Sequence, residues 1–208
     1  MKKNKTDDKI PIYKLKSKEK VLEYYDEWTK KEKYNKDMIE WNYQAPENTA
    51  QLLDKFSNNK DIKILDAGCG TGLVGENLKS LGYKHLFGVD FSQQMLDLVK
   101  PDLYQKLELI DLNKKLYYAN SIFDAVICAG TFTYGHVKNH ALDEFIRITK
   151  TNGYICFTIN EGIYKEYEFD KKIDQLENKK LWEICDFSKS TYIVNKDISA
   201  WLCLARKI

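Results

Sequence analysis

Between residues 62 and 160 short apolar runs alternate with amphipathic stretches. The runs at 62–66, 86–90, 107–111, 123–129 and 154–159 have the length and apolar content of strands. Between them, 72–81, 92–100 and 139–149 carry apolar residues at helical spacing. Ser92 is placed to cap a helix with Met95 and Val99 on one face, and Ala141, Leu142, Phe145 and Ile148 form a stripe. Strands alternating with helices predict βαβ units and a mostly parallel sheet. Asn152-Gly153 reads as a turn after the last of these helices. Residues 18–58 read as helical and rich in aromatics, with Tyr25 and Trp28–Thr29 near one face, and Pro46 opens a new helix ahead of Ala50, Leu52 and Leu53. Beyond Glu161 a charged helix carrying Ile173 and Leu176 precedes two strand-like runs, 181–187 and 200–205, which are expected to form an antiparallel edge hairpin.

Neither a repeat nor a low-complexity linker interrupts this order, so the 208 residues are expected to form one domain. Within it, 1–17 reads as a flexible basic tail, 18–58 as a helical lid, 59–160 as a binding core, and 161–208 as a helix and edge strands on the substrate side. The longest apolar runs, AVICAG and YICFTI, fall far short of the ~20 residues of a membrane span. The lysine-rich N-terminus lacks the apolar region of a secretory signal, and a cytoplasmic location is expected. Five scattered cysteines without a C-x-x-C pair point to buried thiols rather than to a zinc site or a disulfide framework. The formal net charge is +2, but residues 1–20 hold eight lysines against three acids. Such a tail could touch nucleic acid. Without clustered arginines or interleaved aromatics, a solvated terminus is the simpler reading.

The densest signal is ILDAGCGTG at 64–72. A strand ends in Asp66, and Gly68, Gly70 and Gly72 follow before a helix opens at Leu73. Glycines allow a sharp turn and close approach of the backbone to a ligand, and in a doubly wound sheet this turn lies at the ligand-binding edge. Residues 70–75 also fit the dinucleotide pattern G-x-G-x-x-G, a weak match alone. A pyrophosphate is disfavoured beside Asp66, whereas S-adenosylmethionine carries an ammonium and a sulfonium and no phosphate, so it suits a nearby carboxylate. Asp90 closes the second strand and could accept from both ribose hydroxyls. Asp111 closes the third and could accept from the adenine amine. Each acid taken alone could be a turn or cap residue; three in succession point to one ligand.

These residues resemble class I S-adenosylmethionine-dependent methyltransferases, with ILDAGCGTG similar to their first motif and GVDFS-x-x-ML to their second. YDEW at 25–28, NYQAPENTAQLL at 42–53 and CAGTFTYGHV at 128–137 further resemble the Williams–Beuren-region methyltransferase-like proteins. The resemblance implies a Rossmann-like fold with a seven-stranded, mostly parallel sheet and an N-terminal helical lid. It also implies S-adenosylmethionine as cofactor, with S-adenosylhomocysteine as product. The residues expected around the cofactor are Asp66, Gly68, Cys69, Gly70 and Gly72 from the loop, and Asp90, Phe91 and Met95 after the second strand. Asp111, Leu112 and Cys128 complete the set from the core, with Tyr25 and Tyr34 from the lid. After Glu161 the likeness fades, and STYI at 190–193 stands where relatives often carry a proline.

The acceptor is expected at the loop after the fourth strand. Cys128-Ala129-Gly130-Thr131 has neither the N-P-P-Y-type loop of amino-methylating base enzymes nor a Pro-Cys nucleophile, and Cys128 reads as strand packing. His136 is the candidate general base, with an unperturbed pKa near neutrality, and Tyr134, Thr131 and Thr133 could orient an acceptor. Alternatively, His136 is a loop brace. His85 and His140 read as solvent-facing turn residues. The leading expectation is a methyltransferase acting on an O, S or N nucleophile of a small molecule, without a metal. The alternatives are a non-catalytic cofactor-binding adaptor and an RNA or protein methyltransferase.

Overall fold

The computed structural model describes residues 10–15 and 17–208. At its centre is a seven-stranded sheet: β1 (Lys63–Ala67), β2 (His85–Asp90), β3 (Lys106–Leu109), β4 (Phe123–Phe132), β5 (Thr149–Asn160), β6 (Trp182–Ile193) and β7 (Ile198–Lys207). Their spatial order is β3-β2-β1-β4-β5-β7-β6. The first five strands are parallel, and β7 runs antiparallel between β5 and β6. Chain order reverses at β1, whose neighbours are β2 and β4, so the carboxyl ends of these three strands open the crevice where α/β sheets bind ligands. Ile64, Leu65, Val126, Ile127, Ile155 and Phe157 are all fully buried, as central parallel strands covered on both faces require.

Helices α1 (Lys18–Thr29), α2 (Lys33–Glu40) and α3 (Ala45–Phe56) precede the sheet; α4 (Leu73–Ser80), α5 (Gln93–Leu96), α6 (Ala141–Ile148) and α7 (Phe169–Asn178) are inserted along it. Ser17 accepts from the amide of Lys20 to cap α1, and Pro46 lies in the first turn of α3, where its missing amide proton costs nothing. Five residues of α6 are buried, with Asp143 and Glu144 in its first turn and Arg147 in its last, charges that suit the helix dipole. Arg147 also donates to the carbonyls of Tyr118 and Leu116 at 2.7 and 2.9 Å, tying α6 to the β3–β4 connection. Between α1 and α2 the chain turns through Lys31 and Glu32, both left-handed (φ 55° and 56°), so the two aromatic helices fold back on each other.

Several expectations are corrected. The tail was expected to extend to residue 17, but Pro11–Lys14 forms a 3-10 turn with Ile10, Ile12 and Tyr13 buried: three large apolar side chains within four residues outweigh the lysine charge. Residues 1–9 and Lys16 of that tail lie outside the described residues. Asn152-Gly153 does not separate α6 from a strand. β5 begins at Thr149, and the left-handed Asn152 (φ 64°) belongs to a bulge between the Phe123–Thr149 and Ala125–Tyr154 pairs. The helix expected over 92–100 is a single turn, capped by Ser92 as expected. β3 ends at Leu109, leaving Asp111 in the loop beyond it. His85 opens β2 and is half-buried, with its ring 2.7 Å from the side-chain amide nitrogen of Gln105, whereas His140 is an exposed turn residue as expected, with Nε2 3.1 Å from the carbonyl of Asn113. All five cysteines are free thiols, four buried and Cys185 half-buried. Among the described residues no helix is long and apolar enough to cross a membrane.

Candidate active site

The loop after β1 turns through three left-handed glycines, Gly68, Gly70 and Gly72 (φ 80°, 54° and 95°). The amides of Gly68 and Cys69 donate to the carbonyl of Val89, and the Gly70 amide donates to Oδ2 of Asp90 at 2.9 Å. Oδ1 of Asp90 accepts from the amide of Ser92 at 2.9 Å. One carboxylate thus pins the loops following β1 and β2 together at the sheet's carboxyl edge. A Cβ on Gly68 would lie 2.1 Å from Oγ1 of Thr131, so only glycine lets the first and fourth loops touch. A Cβ on Gly70 would meet nothing within 4 Å, because that position faces open space.

The open space is a cavity with about 750 Å³ of empty volume, part of it open to solvent. Gly68, Gly70, Asp90, Phe91 and Met95 form one wall. Asp111 and Leu112, joined by Ile110 and Asn113, form a second. Gly130, Thr131 and His136 line the β4 side, and Tyr25, Tyr34 and Tyr43 project from the helical segment. Oγ1 of Thr71 donates to Oδ1 of Asn35 at 2.7 Å, joining α2 directly to the glycine loop. In α1 and α2, Trp28 is buried and donates from Nε1 to Asp37 at 2.6 Å, so it holds the helices while the tyrosines face the cavity.

Other expected site residues lie off this wall. Asp66 is buried beneath the loop, where Tyr104 donates to its Oδ2 at 2.5 Å while Oδ1 has no partner. Burial, together with the neighbouring Asp90, raises its pKa to about 7. It pairs with Tyr104 and does not line the cavity. Cys69, Gly72 and Cys128 are absent from the lining, and burial pushes the thiols of Cys69 and Cys128 up. Tyr134 is buried with its ring 5.3 Å from that of Tyr13, packing the N-terminal turn against the β4 loop. Tyr43 and Gly130 were not among the site candidates. Their signal stood inside the quoted motifs NYQAPENTAQLL and CAGTFTYGHV, where Tyr43 read as one aromatic among many. A Cβ on Gly130 would lie 2.1 Å from the Tyr43 hydroxyl oxygen.

His136 differs most from expectation. Its Nδ1 lies 2.6 Å from the carbonyl of Tyr134, an acceptor only, so Nδ1 carries the proton. Nε2 is then the acceptor for the Tyr25 hydroxyl at 2.8 Å. Burial lowers the imidazole's pKa to about 4, the carbonyl contact opposing it weakly. The ring is neutral at physiological pH, and its Nε2 lone pair is engaged by the Tyr25 hydroxyl.

Comparison with known proteins agrees with this geometry. Residues 65–157 match the methyltransferase domain family. The chain is 34% identical over 170 residues to human methyltransferase-like protein 27, covering 78% of this chain and 68% of that one. It is 34% identical over 125 residues to malonyl-[acyl-carrier protein] O-methyltransferase of Buchnera aphidicola, covering 58% of this chain and 48% of the relative. Magnesium protoporphyrin IX methyltransferase from Synechocystis, solved with S-adenosylmethionine bound, superposes with a TM-score of 0.68 over 93% of this chain and 98% of that one. At 17% identity this likeness bears on the fold alone. The glycine loop after β1, the acid closing β2 and the strand order are shared expectations of one group, and the chain belongs to the class I S-adenosylmethionine-dependent methyltransferases.

Proposed function

We propose that this enzyme transfers a methyl group from S-adenosylmethionine to an O, S or N nucleophile of a small molecule. The carrying observation is the roof of the cavity. Tyr25 and Tyr34 from α1 and α2, and Tyr43 from the link between α2 and α3, line the same cavity as Gly68, Gly70 and Asp90. A cavity roofed in this way suits an acceptor that can be enclosed better than a folded RNA or protein surface. The malonyl-[acyl-carrier protein] and magnesium protoporphyrin IX in the names of the relatives above are compatible with a small acceptor group without identifying this one.

The residues present fit the cofactor. The Cβ position of Gly70 opens onto the cavity, so the backbone there can lie close against a ligand. Asp90 keeps a carboxylate at the cavity wall for the ribose hydroxyls, and Asp111 supplies one for the adenine amine, with Phe91, Met95 and Leu112 as apolar flanks. Tyr25 and Tyr34 line the same cavity and would face the methionine end. When bound, the cofactor supplies an electrophilic methyl on a sulfonium. The chain's contribution is alignment and exclusion of water, with Thr131 and the Tyr25–His136 pair fixing the β4 side. The lid at 18–58, the core at 59–160 and the helix and strands at 161–208 act as one domain, and five free thiols suit a cytoplasmic setting.

The test is metabolite profiling with methyl-labelled cofactor. Label in one low-molecular-weight product supports the reading. Transfer only to RNA or protein overturns it, and cofactor binding without transfer to any fraction marks an adaptor.

A further inference from the structure

A second, smaller cavity, the rear cavity, adjoins the tyrosine roof. Five residues line both spaces, Tyr25, Tyr34, Tyr43, Gly130 and His136, so the two cavities meet at this partition of shared side chains. The far walls come from three places: Ile12 and Tyr13 in the N-terminal turn, Trp28 and Met38 in the aromatic helices, and Tyr192 and Ile193 at the end of β6. Among the described residues no charged side chain lines it.

From this lining we infer that the rear cavity is the acceptor site and that its acceptor is an uncharged, largely apolar molecule attacking through a neutral lone pair. This rests on the reading of the front cavity as the cofactor site. An acceptor that arrives as a carboxylate, phosphate or phenolate would leave water for a space with no lysine, arginine or protonated histidine to meet it. An acceptor that must lose a proton before attack would find no base in the partition: Nε2 of His136 is occupied by the Tyr25 hydroxyl and Nδ1 by the Tyr134 carbonyl. The tyrosine hydroxyls of the partition, held in their protonated form by burial, act as donors.

A neutral nucleophile needs neither a cation nor a base. Its lone pair forms the bond to the methyl carbon as the carbon–sulfur bond breaks, and that bond's electron pair stays on sulfur. The positive charge passes from the sulfonium to the acceptor atom. Any proton on that atom leaves to water after release. Aromatic ring faces attract the cation as it forms, and Tyr13, Tyr25, Tyr34, Tyr43, Trp28 and Tyr192 supply such faces around the cavity.

The inference is tested by titrating three bicyclic probes of one size into protein saturated with S-adenosylhomocysteine, following tryptophan fluorescence and heat. Isoquinoline is a neutral nucleophile, N-methylisoquinolinium its methylated cation, and 2-naphthoate an anion. The expected result is binding of the first two, with 2-naphthoate at least tenfold weaker. Two variants locate the site. Met38→Trp and Ile193→Phe each fill part of the rear cavity and should weaken isoquinoline at least tenfold, leaving S-adenosylhomocysteine affinity unchanged. Naphthoate binding as tightly as isoquinoline, no isoquinoline binding, or isoquinoline binding unaffected in both variants overturns the inference. Failure of the parent protein to bind S-adenosylhomocysteine instead defeats the underlying reading of the front cavity.

Discussion

The Tyr25 hydroxyl donates to Nε2 of His136 across 2.8 Å, joining α1 to the loop after β4 with 111 residues of chain between them. The two rings meet edge to face with centroids 5.6 Å apart. The bond fixes the tautomer of the imidazole and orients the tyrosine between the two cavities, so a single contact sets both the partition and the protonation of its one histidine.

Tyr25→Phe removes the donor and leaves a buried lone pair on His136. We expect a loss of about 1–3 kcal/mol in chemical denaturation, the usual cost of an unsatisfied buried acceptor. In the parent protein, imidazole nitrogen shifts should report a neutral ring protonated at Nδ1, remaining so as the pH falls towards 4. An inflection near pH 6–7 assigned to His136 would contradict the geometry described for it.

Asp66 should make the protein less stable as the pH rises. Its folded pKa of about 7 lies above the ordinary 3.8, so between those values the folded state holds a proton that the unfolded state has released. Its stabilisation is full below about pH 4 and is lost by pH 7, at about 1.4 kcal/mol per pH unit. His136 acts in the opposite sense: its folded pKa is depressed, so its contribution is present above pH 6.5 and lost as the pH falls through about 4. Over the shared range the two proton differences cancel. Asp66→Asn should therefore expose a net fall in stability on acidification from pH 6.5 to 4.5, read from denaturation midpoints; an unchanged profile would exclude the raised pKa.

Gly68→Ala and Gly70→Ala should separate folding from binding. At Gly68 the methyl collides with Thr131, and φ is 80°. Both thermal stability and cofactor affinity should fall. At Gly70 the methyl enters open cavity, so the folding cost is limited to a left-handed residue, about 1–2 kcal/mol. S-adenosylhomocysteine affinity should nevertheless drop at least tenfold in calorimetry. Equal affinity in Gly70→Ala and parent would show that the loop does not cradle the ligand.

Asp90→Ala should weaken S-adenosylhomocysteine by about 1–3 kcal/mol, the cost of unmatched buried hydroxyls. Because the same carboxylate holds the amides of Gly70 and Ser92, the loss should include a slower approach to the bound state, visible in stopped-flow fluorescence. Asp90→Asn keeps an oxygen for one of those amides and should fall between alanine and parent.

Hydrogen exchange should show α1 and α2 gaining protection when S-adenosylhomocysteine binds, since they reach the glycine loop through Asn35 and Thr71 and the cavity through Tyr25 and Tyr34. Equal protection with and without ligand would make the segment ordinary core.

The parallel core was legible because strand ends coincide with chemistry. ILDAGCGTG closes β1 and GVDFS closes β2, and both the apolar run and the acid at its end point to one edge of the sheet. The direction of a buried side chain was not legible. Asp66 and Asp90 look alike in the chain, yet one is turned under the loop towards Tyr104 and the other along the cavity wall. Nor could sequence give the state of His136, because its partners lie 111 positions away and at a backbone carbonyl. The N-terminal turn was missed because a lysine count describes average solvation, whereas Ile10, Ile12 and Tyr13 are placed by contact.

The position of β7 between β5 and β6 has a consequence for the newborn chain. The ribosome delivers β5 and β6 before β7, and neither pairs with the other in the finished sheet. Until residues 198–207 emerge, the edge of β5 remains an open row of amides and carbonyls, and β6 waits for its strand partner. Stalling or truncation within β7 would leave two sticky edges on an otherwise built sheet, the condition in which chains capture one another. This enzyme should therefore depend most on chaperone cover in the interval between synthesis of β6 and synthesis of β7.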